Sequence, residues 1–307
     1  MSAPRRTFPR WGIPLRPVTA EFHLYLPQMR LSPAALEERA VAAEAAGFSG
    51  MAGMDHLAPP LAEGQPMFEA ITTATWLAAR TQRLVQGNLV LCDAFRHPAV
   101  LARQAVTLDH LSGGRFELGL GWGSVAGEFA TYGIVPATPS ERVDRMRETL
   151  ELLGLLWSGE QFDYHGTWYS VTGGRQLPTP LTRIPLVIGG TGPKTMRLVA
   201  RHADWWNVSV DKLHHLDDAR SAAGDARVST QVMVAFVPSE DRRGEIAELA
   251  RRRFGWRNPP IVGDTAELVD HFGAAAATGV ERFYVWFTDF APPETLAAFG
   301  AGVIGRV

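Results

Sequence analysis

Two patterns of apolar residues alternate along the chain, and their alternation predicts its architecture. Phe22, Leu24 and Leu26 interleave with His23 and Tyr25 at the period of two that marks a strand, which Pro27 ends. Ser32 and Pro33 then supply an N-cap and a first-turn proline, and Leu36, Ala40, Ala43 and Gly47 line one side of the helix that follows. The couplet recurs. Further strands are predicted over 48–55, 84–91, 115–120, 185–188, 205–210, 230–237 and 282–287. Helices are predicted between them, over about 68–80, 97–111, 140–157, 193–202, 213–223, 244–254 and 266–277. A small hairpin over 161–171, turning at His165 and Gly166, interrupts the order after the fourth helix. Eight strands alternating with helices predict an α/β fold of the (β/α)8 TIM-barrel type rather than a doubly wound sheet.

The stretch from His97 to Gly133 is the most informative. Leu101, Ala105, Leu108 and Leu111 follow helical spacing, with Arg103 and Asp109 off that face, and Ser112, Gly113 and Gly114 stop the helix. In the next strand Phe116, Leu118 and Leu120 point one way, while Glu117, Gly119 and Gly121 point the other. Glycines in alternate strand positions mean that something large approaches the backbone, either a ligand or the chain's own bulge and tight barrel packing. On the third strand Gln86, Asn88 and Val90 share one face, opposite Val85, Leu89 and Leu91.

Composition narrows the function. With 307 residues and 46% hydrophobic content, the chain has the size of one barrel domain, 18–307, behind a loosely ordered arm, 1–17. Four prolines interrupt that arm, and no apolar segment follows its arginines as in a signal peptide. A net charge of −2 argues against nucleic acid as the partner, and the lack of an 18-residue apolar run argues against a membrane. Cys92 is the single cysteine, so no intramolecular disulfide forms and the cytoplasm is the expected compartment. His97, His110 and the adjacent His214 and His215 show no ligand spacing, so no metal is expected.

Barrel enzymes carry their sites at the C-terminal ends of the strands, where His56, Asn88, Gly121 and Gly189 fall. Gly189, Gly190, Thr191 and Gly192 feed a helix and expose backbone N–H groups to a phosphate, with Lys194 and then Arg197 adding charge; the alternative is a plain strand-to-helix turn. His56 is the catalytic candidate, because an imidazole carries a proton near neutral pH; the alternative is a loop cap or a bond to Asp55. His23 and Tyr25 are substrate-pocket candidates if their strand faces inward, and Glu128 is expected to hold a loop. Phe283, Tyr284, Trp286 and Phe287 are assigned to barrel packing.

Taken together, Asp55–Leu57 (DHL), the run HPAxLA, LDxLSGGR, GLGxG from His97, and IGGTGPKTMRLVARHADWWN at Ile188–Asn207 resemble the bacterial luciferase-like superfamily of flavin and deazaflavin oxidoreductases. The resemblance spans about residues 20–290 and is strongest to members that use the deazaflavin F-420 (F420), with FMN enzymes sharing the motifs. It implies a tricyclic ring across the barrel mouth over Asn88, Leu89, Val90, Gly119 and Gly121, and a non-proline cis peptide within Asn88–Val90. It also implies a proton-transfer role for His56 and pairing into a homodimer. Trp122 departs from the pattern, since many relatives have GAGW or GTGE at Gly121–Ser124; a tryptophan there either narrows the substrate pocket or stacks on the ring. Arg251–Arg253 with Trp256 and Arg257 either meet a deazaflavin's acidic tail or form a solvated helix end. The expected activity is hydride transfer between F420 and a small organic substrate. The alternatives are an FMN-dependent monooxygenase, with a reductase supplying reduced flavin, and a non-catalytic flavin-binding or partner-dependent subunit.

Overall fold

The computed structural model describes residues 20–60, 62, 64–134, 137–255 and 259–307, so the arm 1–17 lies outside the described residues. Eight parallel strands form the barrel: β1 (Glu21–Tyr25), β2 (Gly50–Gly53), β3 (Val85–Asn88), β4 (Leu118–Gly121), β5 (Leu186–Gly189), β6 (Trp205–Ser209), β7 (Arg227–Phe236) and β8 (Arg282–Phe287). Their order is β3-β2-β1-β8-β7-β6-β5-β4. The ring closes at a parallel bridge between Gln86 and Phe116, where Gln86 N–H donates to the Arg115 carbonyl and Glu117 N–H to that of Gln86. The expected TIM barrel is thus present.

Two departures matter at the mouth. β3 ends at Asn88, and Leu91–Cys92 rejoins the sheet beside Leu120 and Gly121; between them the Leu89–Val90 peptide is cis. A further strand, Ile261–Gly263, pairs with the outer end of β7 at Val234–Phe236. Three residues are too few to show a period in sequence.

Caps set the helix limits. Ser32 Oγ accepts Ala35 N–H at 3.2 Å to open Pro33–Ala45, and Gly113 at φ 68° closes Pro98–Ser112. The long helix Pro139–Trp157 begins one residue before the predicted start, because Thr138 and Glu141 form a capping box. On Pro98–Ser112 two predicted positions are exchanged. Leu111 is 62% exposed, whereas Asp109 is fully buried and accepts the Leu181 N–H at 2.7 Å. Ten residues beyond Leu101, a side chain has rotated off the face that Leu101, Ala105 and Leu108 share. The hairpin Phe162–His165 and Ser170–Gly174 stands outside the barrel, its turn held by N–H groups of Thr167, Trp168 and Tyr169 donating to buried Glu148.

Strand alternation divides the interior. Phe22, Leu24, Leu118, Leu120, Phe283, Val285 and Phe287 face the helices in the main apolar core. His23, Glu117, Arg282 and Tyr284 fill the inside below the mouth. Tyr25, Ala52 and Met54 cluster with the Tyr284 ring above, with Leu89 and Trp286 packed on them, apart from the main core.

Candidate active site

A buried charge network supports the site from beneath. Arg282 Nη1 donates to Glu117 Oε2 at 2.6 Å, Arg282 Nη2 to Glu21 Oε2 at 2.6 Å, and Tyr284 Oη to Glu117 Oε1 at 2.8 Å. Burial is the largest single influence on Glu117 and opposes its ionisation, but Arg282, His23 and Tyr284 together outweigh it, and the carboxyl is held well below its ordinary range. His23 lies 3.5 Å from Glu117, fully buried, and burial together with Arg282 lowers its pKa. Its position corrects the expectation for a substrate-pocket residue: the strand faces inward, but His23 sits below the mouth, packed against the Tyr284 ring at 5.1 Å. Tyr25 is one layer higher, 5% exposed, its ring 5.3 Å from Trp286 and under the cavity floor.

Above this network the β4 glycines meet the chain itself. A Cβ at Gly119 would overlap the Asn88 carbonyl oxygen, and one at Gly121 would stand 2.6 Å from Val90 Cγ2. The large group approaching β4 is therefore the Asn88–Val90 segment. That segment presents Leu89 and Val90 to a cavity of about 320 Å³, also lined by His56, Phe95, Gly121, Trp122, Glu128, Phe129, Gly189 and Gly190. Asn88 does not line it. Its side chain turns instead toward a small pocket beside Gln28 and Gln86. Gly119 is covered and likewise stays out of the cavity wall. Cys92 does reach the wall, and burial pushes its thiol up to about 12, so it stays protonated at neutral pH.

The DH pair at the end of β2 divides its work. Asp55 receives Arg96 through two hydrogen bonds of 2.6 and 2.9 Å and the Cys92 N–H at 2.8 Å, tying β2 to the returning third strand. His56 does not bond Asp55. Its Nδ1 lies 3.0 Å from Glu128 Oε2, while Leu57 and Ala58 donate their N–H groups to Glu128 Oε1, the latter at 3.2 Å. Glu128 thus holds the loop as expected from sequence, and does so from the short helix Ala126–Thr131, which no period announced. Trp122 lines the same cavity under the Arg142 guanidinium, 4.8 Å from its ring centroid, and Arg142 donates to the Gly123 carbonyl at 2.8 Å.

At the end of β5, Gly189 and Gly192 are open, whereas a Cβ at Gly190 would stand 3.3 Å from Thr195 Cγ2. An added Cβ at Gly189 would meet only Asn207 O, at 3.9 Å, and one at Gly192 only Thr195 Oγ1, at 4.0 Å. Gly190 has φ +119°, and its carbonyl accepts the Trp206 indole N–H at 2.8 Å. Gly192 caps the helix Pro193–His202 without a side-chain hydrogen bond, leaving first-turn N–H groups to an outside acceptor. Lys194 is spent elsewhere, donating to Asp144 at 2.7 and 2.9 Å and to Ser140 at 2.6 Å. Ser124, Gly189 and Gly190 join the first cavity to a second of about 700 Å³, lined also by Thr191, Asn207, Ser209, Lys212, Gln231, Met233 and Trp286.

Trp286 lines this second cavity, although the sequence reading placed it with Phe283, Tyr284 and Phe287 in barrel packing. Strand alternation was the available signal, because Arg282, Tyr284 and Trp286 share the inward face while Phe283 and Phe287 turn to the core. Arg251 pairs with Glu248 on its own exposed helix at 2.7 Å, and Trp256 and Arg257 lie outside the described residues.

A family model described as luciferase-like monooxygenase matches residues 17–283. The chain belongs to that family. An F420-dependent glucose-6-phosphate dehydrogenase of Microbacterium testaceum (strain StLB037) is 34% identical to this luciferase-like chain over 226 residues, 69% of this chain and 67% of the relative. Another, from Mycolicibacterium fortuitum, is 36% identical over 178 residues, 57% of this chain and 53% of the relative, so the chain spans about half the length of that protein. Among solved structures, an F420-dependent secondary alcohol dehydrogenase in complex with an F420–acetone adduct gives a TM-score of 0.78 at 17% identity, covering 93% of this chain and 98% of that one. The oxygenating constituent of 3,6-diketocamphane monooxygenase from the CAM plasmid of Pseudomonas putida, in complex with FMN, gives 0.77 at 17% identity, covering 94% and 98%. Both share the luciferase-like barrel fold.

Proposed function

We propose that this chain is an F420-dependent oxidoreductase that moves a hydride between the deazaflavin and a small alcohol or carbonyl substrate. The observation that carries the proposal is the placing of His56 on one cavity wall with Leu89, Val90 and the Gly189–Gly190 turn. The F420-dependent relatives at 34% and 36% identity support the same reading. The space fits such a coenzyme, because Gly189 and Gly192 leave room that the protein's own packing does not use. Leu89, Val90, Gly121 and Trp122 would flank the ring, and backbone N–H groups of Thr191 and Gly192 would hold the phosphate, that of Gly190 being donated to the Asn207 carbonyl. When bound, the deazaflavin supplies the hydride acceptor or donor.

The chain's own residues do the rest. Leu89, Phe95, Trp122 and Phe129 give the cavity an apolar wall from which a bound ring would displace water. His56 exchanges the proton that accompanies the hydride. Asn207, Ser209, Lys212 and Gln231 would meet polar groups of the substrate in the second cavity. Pairing into a homodimer belongs to the same proposal. It is supported by the exposed Val100 and Leu111 on one helix beside exposed Leu177 and Leu181 and is tested by sedimentation of the purified protein.

The test is binding of the apoprotein to F420 and to FMN, followed by anaerobic hydride transfer and oxygen uptake. Binding of F420 with anaerobic turnover is expected. Tight FMN binding with oxygen-dependent turnover, and none with F420, rejects the proposal in favour of a monooxygenase. His56→Ala should keep the coenzyme and lose most turnover.

A further inference from the structure

We infer that Glu128 is a positioning residue that sets which ring nitrogen of His56 faces the cavity, and that it poises the site to oxidise an alcohol. The inference rests on the reading of His56 as the proton carrier. Three groups converge on the two oxygens of the Glu128 carboxylate: the N–H groups of Leu57 and Ala58 on Oε1, and His56 Nδ1 on Oε2 at 3.0 Å. An ionised carboxylate only accepts hydrogen bonds, so Nδ1 must carry the proton. A neutral imidazole has one N–H, which leaves Nε2 as the acceptor available to a ligand. The neighbouring carboxylate does not compete, because Arg96 and the Cys92 N–H occupy Asp55. Glu128 is itself 9% exposed and fixed on a helix, so the pairing is built in before any ligand arrives.

The consequence is directional. An Nε2 lone pair takes the hydroxyl proton of an alcohol as the carbon-bound hydride leaves with its electron pair to the deazaflavin. The C–O single bond becomes a carbonyl, and the imidazolium formed is stabilised by Glu128. The reverse step, donation to a carbonyl, needs the imidazolium instead, so a neutral ring with its lone pair on Nε2 is the form suited to oxidation. The substrate class this favours is an alcohol whose hydroxyl reaches the His56 side of the mouth.

Ring ¹⁵N spectra of the apoprotein, at a pH where the imidazole is neutral and assigned by their loss in His56→Asn, read the tautomer without coenzyme. Wild type should show a protonated Nδ1 and an unprotonated Nε2. In Glu128→Gln the amide oxygen can keep the Leu57 and Ala58 bonds while its NH2 faces Nδ1, so the two nitrogens should exchange roles. With F420 present, the same variant should lose about 10²-fold in kcat for alcohol oxidation, with KM changed less than about 3-fold, a split that loss of fold would not give. An unprotonated Nδ1 in wild type, which needs no variant to fold, or an unchanged tautomer in Glu128→Gln, overturns the role of Glu128. Turnover that survives His56→Asn overturns His56 as proton carrier and with it the directional claim, whatever the tautomer.

Discussion

Two neighbouring strand ends at the barrel mouth are both rich in glycine, and they use it for opposite purposes. At the end of β4, Gly119 and Gly121 lack a side chain because the chain itself occupies the space: Asn88 O and Val90 Cγ2 stand where Cβ atoms would be. At the end of β5, Gly189 and Gly192 have almost nothing within contact distance. A glycine forced by internal packing is a structural residue, whereas one with empty space before it marks where something else belongs. The lower inward face of β4 follows the first rule too, because Gly87 leaves room for Glu117, whose Cγ stands 2.8 Å from a Cβ placed there.

The largest effect expected is from Gly119→Ala, which should destabilise the fold by about 4 kcal/mol through backbone overlap, read as a lower urea midpoint. A change below about 1 kcal/mol would break the comparison. Glu117→Gln should cost about 3 kcal/mol by leaving Arg282 with a reduced set of anions. Its pH dependence sharpens the point. The folded pKa of Glu117 is lowered, so its stabilisation is present above about 4.5 and is lost as pH falls toward the folded value. His23 is also lowered, from 6.5, so the unfolded state binds more protons and stability declines as pH drops below about 6.5. Urea midpoints against pH should show both contributions in wild type, and the one below pH 4.5 should flatten in Glu117→Gln.

Gly189→Ala should behave in the other way. Stability should change by less than about 1 kcal/mol, while F420 affinity measured by titration calorimetry falls about tenfold. Equal loss in both would put β5 in the same class as β4. The smallest effect is expected from Lys194→Ala: the residue is half exposed and paired with Asp144, so stability should shift by less than about 0.5 kcal/mol, with coenzyme affinity nearly unchanged.

The period of two and the helical spacing, read residue by residue, were enough to locate all eight barrel strands and to place His56 and the Gly189–Gly192 turn at strand ends. The same alternation places Trp286 on the inward face with Arg282 and Tyr284. The segment after Asn88 was legible only as a place, because β3 reads as an unbroken apolar run through Leu91 whether or not the chain leaves the sheet.

What the sequence determined by itself is local: strand and helix order, caps such as Ser32 and Gly113, and the inward direction of Glu117, Gly119 and Gly121, all of which depend on neighbours within a few residues. Tertiary structure alone decided what stands before each inward position. Asn88 meets Gly119, Arg282 meets Glu117 across 165 residues, and Glu128 meets His56 across 72. Such pairings arise when the barrel closes and brings distant strand ends within a few ångströms, and no period along the chain encodes them.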